Sequence, residues 1–175
     1  MEHHEEKKGL LAEAVALREG GRKEEAREAL VALAARYPDD AEIAYQTAWA
    51  HDVLGLEAEA VPYYERALAE TGTEAATAIA LTPEDRRGAL LGLGSTYRVL
   101  GRYEDAVTLL TGAVGEFPED GALRTFLGMA LYNTGRHHES VRTLLRLLAA
   151  TSEDPSVRAY KRAIEHYAED LDATE

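Results

Sequence analysis

A turn glycine followed five residues later by a small residue recurs at Gly21/Ala26, Gly55/Ala60, Gly101/Ala106 and Gly135/Ser140. Gly21 to Gly55 and Gly101 to Gly135 are each 34 residues apart, and the middle interval is 46, one period plus an insertion of twelve. Self-similarity at a period of about 34 residues marks stacked helical hairpins. The spacing therefore predicts an all-α chain built by repetition rather than around one enlarged core.

Elementary packing explains why these residue types recur. Glycine adopts the left-handed conformation that ends a helix, which strains any residue with a Cβ, so each of the four reads as a hairpin turn. Two helices crossing closely need small side chains at the crossing, the place of Ala14 or Gly94 against Ala26 or Ala106. The 46% hydrophobic content with only 7% aromatic residues suits such short side chains.

The segment from Gly88 to Asp120 carries the pattern most fully: Leu93, Gly94 and Tyr97 on a first helix, Ala106 and Ala113 on a second, and Pro118 at the close. It resembles a tetratricopeptide repeat. Four units fit, at residues 7–40, 41–74, 87–120 and 121–154, with departures at Leu17 (for the aromatic), Ala48, Gly72, Ser140 and Ser152. The resemblance implies a right-handed α-solenoid of four hairpins whose first helices line a concave groove. It further implies a non-catalytic module that binds a protein or peptide segment there.

Signals between and around the units complete the organisation. Residues 1–6 are expected to be disordered. Pro62, close to the start of its helix, predicts a late start or a bend. The insertion AATAIALTPEDR, residues 75–86, ends in a cap signal: Thr82, Pro83 at the first helical position, then Glu84 and Asp85, so a helix should begin at Pro83. Residues 155–175 read as a C-terminal capping helix and tail, with Val157, Tyr160, Ile164, Tyr167 and Leu171 on one apolar face towards the last repeat.

Composition narrows the function. The chain has no cysteine, which removes disulfides, thiolate metal sites and thiol nucleophiles. No apolar run approaches the roughly 18 residues of a membrane span, and MEHHEEKKGLL lacks a secretory core, so a cytoplasmic location without membrane association is expected. A formal charge of −13, from 32 acidic against 19 basic residues, opposes nucleic acid and favours a partner of neutral or basic character. His137 and His138 are adjacent at a turn and point apart, without acidic residues at ligand spacing. Gly92 and Gly94 lie inside a helix with no following lysine, which argues against a phosphate loop. No cofactor, metal or catalytic constellation is called for.

The repeat register places Leu11, Val15, Glu42, Tyr45, Trp49, Asp52, Leu91, Ser95, Arg98, Thr125, Met129, Tyr132 and Asn133 on the groove. Tyr45, Trp49, Met129 and Tyr132 make a strip of the composition enriched in interfaces, though Tyr45 and Trp49 could equally pack between helices. The chaperone-tail clamp of Lys, Asn and Arg known in this family is replaced by Leu11, Val15, Trp49 (or Gln46), Gly88 and Gly92. An apolar extended or helical segment suits this groove better, with Arg98 and Glu42 setting its direction. The alternative is a self-associating scaffold whose apolar groove is buried in a homodimer.

Overall fold

The computed structural model describes residues 2–69 and 81–174, with side chains from residue 5. Among the described residues there are ten helices and no strand. The chain divides into two compact units, Met1–Leu100 and Gly101–Glu175.

The first unit holds α1 (Glu2–Glu19), α2 (Lys23–Arg36), α3 (Ala41–Asp52), α4 (Glu57–Leu68) and α5 (Pro83–Val99). Helix α1 packs on α2, α2 on α3, α3 on α4 and α4 on α5. Leu11, Ala14, Leu30, Leu33, Ala34, Ile43 and Ala50 form its buried centre. The second unit holds α6 (Tyr103–Glu116), α7 (Gly121–Asn133), α8 (His137–Thr151), α9 (Pro155–Ala159) and α10 (Lys161–Glu169), with α7 packed on both α6 and α8 and α10 on α8.

The periodic residues do what their spacing predicts. Gly21, Gly55, Gly101 and Gly135 all have φ between 71° and 83°. Ala26, Ala60 and Ala106 are fully buried, and Ser140, in the same register, is buried too. Serine stands there for a reason: its hydroxyl donates to the Gly128 carbonyl at 2.6 Å, tying α8 to α7. Asp40 and Asp120 cap α3 and α7, accepting from the Ile43 and Leu123 amides at 3.0 and 2.7 Å. Arg22, Arg102 and Arg136 precede α2, α6 and α8 and pair three residues on with Glu25, Asp105 and Glu139. Such exposed pairs add little stability but recur with the period.

Helix α5 begins at Pro83, with the Thr82 hydroxyl accepting from the Asp85 amide at 3.1 Å. Of the insertion, residues 75–80 lie outside the described residues.

Three expectations are corrected. The first helix runs from Glu2, within the stretch expected to be disordered, and near its start Glu6 pairs with Arg36 at 3.1 Å and Lys7 with Asp40. Helix α4 does not start late: it begins at Glu57 and includes Pro62, whose ring is exposed, so the missing amide falls on the solvent side. The C-terminal segment is two helices broken at Tyr160 (φ −103°, ψ 11°) rather than one. The break rotates its apolar face. Tyr160 and Tyr167 are 69% and 60% exposed, and Ala168 takes the buried position.

Candidate functional site

A cleft of about 350 Å³ opens in the first unit between α3, α4 and α5. Tyr45, Trp49, Asp52 and Val53 line it from α3 and its end, Tyr64 from α4, and Gly88, Leu91, Gly92 and Ser95 from α5. Helical periodicity explains the lining. Tyr45, Trp49 and Asp52 follow one another at intervals of four and three along α3, and Gly88, Leu91, Gly92 and Ser95 at three, one and three along α5, so each set shares a face.

The two glycines make room for the two tyrosines. A Cβ on Gly88 would lie 2.3 Å from the Tyr45 hydroxyl, and one on Gly92 would lie 2.3 Å from the Tyr64 hydroxyl. Close approach is therefore why glycine stands at these positions. The Tyr45 and Tyr64 rings sit 6.4 Å apart, and Tyr45 stacks on Trp49 at 5.9 Å.

At the cleft floor the Asp52 carboxylate accepts from the Tyr64 hydroxyl at 2.6 Å and the Thr96 hydroxyl at 3.1 Å. Burial pushes the Asp52 carboxyl above the usual carboxylate range, against these two hydrogen bonds, and pushes the Tyr64 phenol up as well. Arg18 of α1 lays its guanidinium 3.8 Å from the centre of the Trp49 ring and donates to Gln46 Oε1 at 2.8 Å. Burial lowers its pKa. This cation is buried behind the indole and is not part of the lining.

The predicted groove residues divide. Tyr45, Trp49, Asp52, Leu91 and Ser95 come together here. Tyr45 is 7% exposed and packed between the helices, whereas Trp49, stacked on Tyr45 and covered by Arg18 on its ring, remains 42% exposed. Leu11 is corrected: it is buried in the core of the first hairpin, because α1 turns that face onto α2. Val15 is partly buried against the same core, and Glu42 and Arg98 lie outside the lining. Partial burial and the Asp40 and Asp85 carboxylates raise the Glu42 pKa. Thr125, Met129, Tyr132 and Asn133 belong to the second unit. There Thr125 bonds the Gly121 carbonyl, Met129 is exposed, Asn133 is half-buried, and Tyr132, 63% exposed, rests against His137 at 4.9 Å.

Arg18, Tyr64 and Thr96 escaped the sequence reading. Register held a signal for the first, since Arg18 lies one period before Asp52. Among the described residues no three His, Asp or Glu side chains converge as metal ligands. His51 is a core residue, bonded through Nδ1 to the Thr47 carbonyl at 2.8 Å and stacked on Tyr63. No helix among the described residues is long and apolar enough to cross a membrane.

Comparison with known families agrees with this architecture. One tetratricopeptide-repeat model matches residues 41–171 and another matches 9–40. The chain belongs to the tetratricopeptide-repeat family. Its fold class is accordingly an all-α solenoid of helical hairpins. The fold is shared with a crystal structure of MamA protein, at TM-score 0.68 and 16% identity over 97% of this chain and 78% of that one. It is likewise shared with MamA AMB-1 (TM-score 0.62, 21% identity, 95% and 98% covered). A third match is MamA from residue 41 to its end, from Desulfovibrio magneticus RS-1 (0.62, 16%, 95% and 97%). No curated protein matches the sequence. Tetratricopeptide repeats are protein-interaction modules, and protein partners follow for this chain.

Proposed function

We propose that this protein is a non-catalytic adaptor that binds a peptide segment across the α3 and α5 face of its first unit, in the cleft walled by Tyr45, Trp49 and Tyr64. The observation that carries this reading is the half-open indole of Trp49, 42% exposed beside two buried tyrosines. A tryptophan left so at the mouth of an aromatic cleft has apolar surface for a partner to cover, and such residues often supply about 2 kcal/mol or more of binding. The test is retention of host proteins by the full chain and by Trp49→Ala. The substitution is expected to leave the helical spectrum intact and lower stability by only about 1 to 2 kcal/mol, since it removes the stacking of Arg18 and a half-buried ring. A partner retained equally by both proteins places binding elsewhere.

Self-association is a second reading, favoured by the exposed Val141, Leu144 and Leu148 along one side of α8. Molar mass by light scattering separates the two. A monomer leaves the cleft reading standing, and a dimer broken by Leu148→Glu, but not by Trp49→Ala, assigns the α8 side to self-contact.

A further inference from the structure

Resting on that reading, we infer that the cleft is selective for a basic side chain: a lysine or arginine of the bound peptide lies in the cleft against Trp49 and Leu91, and the Asp52 carboxylate is its counterion. Four observations converge. Asp52 is the one acidic or basic residue among the nine described residues that line the cleft. Its two oxygens are engaged by neutral hydroxyls, Tyr64 at 2.6 Å and Thr96 at 3.1 and 3.3 Å, and no lysine or arginine pairs with it among the described residues. Among the described residues the carboxylate so held has two neutral hydroxyls and no lysine or arginine as partners, a situation in which a desolvated cation gains most. The side chain also sits on the last residue of α3, where the helix end adds negative potential. The chain's own Lys23 already reaches that end, its ammonium donating to the Val53 carbonyl at 3.4 Å.

The walls supply the rest. Aromatic faces attract ammonium and guanidinium groups, and Trp49 does so within this molecule, where Arg18 stacks on it. The aliphatic stem of a lysine or arginine would meet Leu91 and Trp49 while its head reaches Asp52. A single carboxylate with two hydroxyls is too few oxygen ligands for a divalent ion. An acidic peptide would face Asp52 without compensation, which also accounts for the absence of the family's basic clamp.

The test is selection of a random dodecapeptide library displayed on phage against the full chain and against Asp52→Asn, the latter first checked for an unchanged helical spectrum. Peptides won by the wild type are expected to share a lysine or arginine at one fixed position and to compete for the change in Trp49 fluorescence. Resynthesis with norleucine at that position, which keeps the stem and removes the charge, should weaken binding to the wild type at least tenfold and binding to Asp52→Asn less than twofold. Convergent peptides without a shared basic position, or a norleucine penalty undiminished in Asp52→Asn, overturn the charge selectivity and leave the peptide cleft standing. Failure to enrich any peptide that reports through Trp49 overturns both.

Discussion

The α3 and α4 hairpin and the α7 and α8 hairpin occupy the same register 80 residues apart, share a frame and differ in nearly everything the frame presents. Both have an aspartate cap (Asp40, Asp120), a left-handed turn glycine (Gly55, Gly135), a small residue on the first helix (Ala48, Gly128) and a buried small residue on the second (Ala60, Ser140). At the intervening positions Tyr45 corresponds to Thr125, Trp49 to Met129, Asp52 to Tyr132 and Tyr64 to Leu144. The first set makes a walled cleft with a charged floor; the second makes an exposed aromatic and a leucine lying against Gly128. Backbone closure depends on the small residues, so these recur, while the remaining positions are free to be spent on recognition.

The sharpest way to break this comparison is at the register position of Leu30, Tyr64, Leu110 and Leu144. Leu110 is fully buried and Leu144 is 38% exposed. Leu110→Ala should lower stability by about 2 to 5 kcal/mol. Leu144→Ala should lower it by only about 1 kcal/mol, because less apolar surface returns to water and no closed cavity forms. Urea unfolding of both measures the difference; equal losses would mean that the exposed side of α8 is covered in solution, as self-association requires.

Next in size is a contrast between glycines. Gly92 and Gly112 both lie inside helices, yet only Gly92 has a neighbour, the Tyr64 ring, within reach of a Cβ. Tyr64 is buried and bonded to Asp52 and so has little freedom to withdraw. Gly92→Ala should therefore overpack the site by about 1 to 3 kcal/mol, partly offset by helix propensity. Gly112→Ala, with nothing within 4 Å, should stabilise by up to about 1 kcal/mol. Opposite signs in thermal melts support the close approach of α4 to α5; stabilisation by both would count against it.

How far the residues alone announce this molecule follows from the same division. The frame is legible because it obeys a period: Gly21, Gly55, Gly101 and Gly135 fix the turns, Ala26, Ala60, Ala106 and Ser140 fix the crossings, and Thr82 with Pro83 fixes a helix start. The cleft is half legible. Register puts Tyr45, Trp49 and Asp52 on one helix face, but that Tyr45 is buried while Trp49 stays half-open is set by the neighbours, Gly88 of α5 at the tyrosine and Arg18 of α1 over only part of the indole. Leu11 misleads because register gives a face and not what covers it. The helical start at Glu2 is not legible either: Glu6 meets Arg36 across 30 residues, a contact that no local pattern carries. The C-terminal face misleads for a third reason, since an apolar stripe continues in sequence across Tyr160 while the helix does not.

The smallest effect isolates the cleft floor. Burial holds the Asp52 carboxyl above its ordinary value, so the folded protein binds that proton more tightly than the unfolded chain does. The stabilisation this group contributes is thus present below the ordinary carboxylate value and is lost as pH rises through the raised one. At neutral pH the ionised group is a burden on the fold that Thr125, Met129 and Tyr132 do not impose on the other hairpin. Asp52→Asn keeps the shape and an acceptor for Tyr64 while removing the charge. Its melting temperature is expected to exceed that of the wild type modestly at pH 7, with the gap closing as pH falls towards the ordinary carboxylate range. A lower melting temperature at pH 7 would mean that the bonds from Tyr64 and Thr96 outweigh burial, and that Asp52 belongs to the frame. A higher one identifies Asp52 as a residue retained at a cost to stability, the expected mark of a side chain kept for a partner.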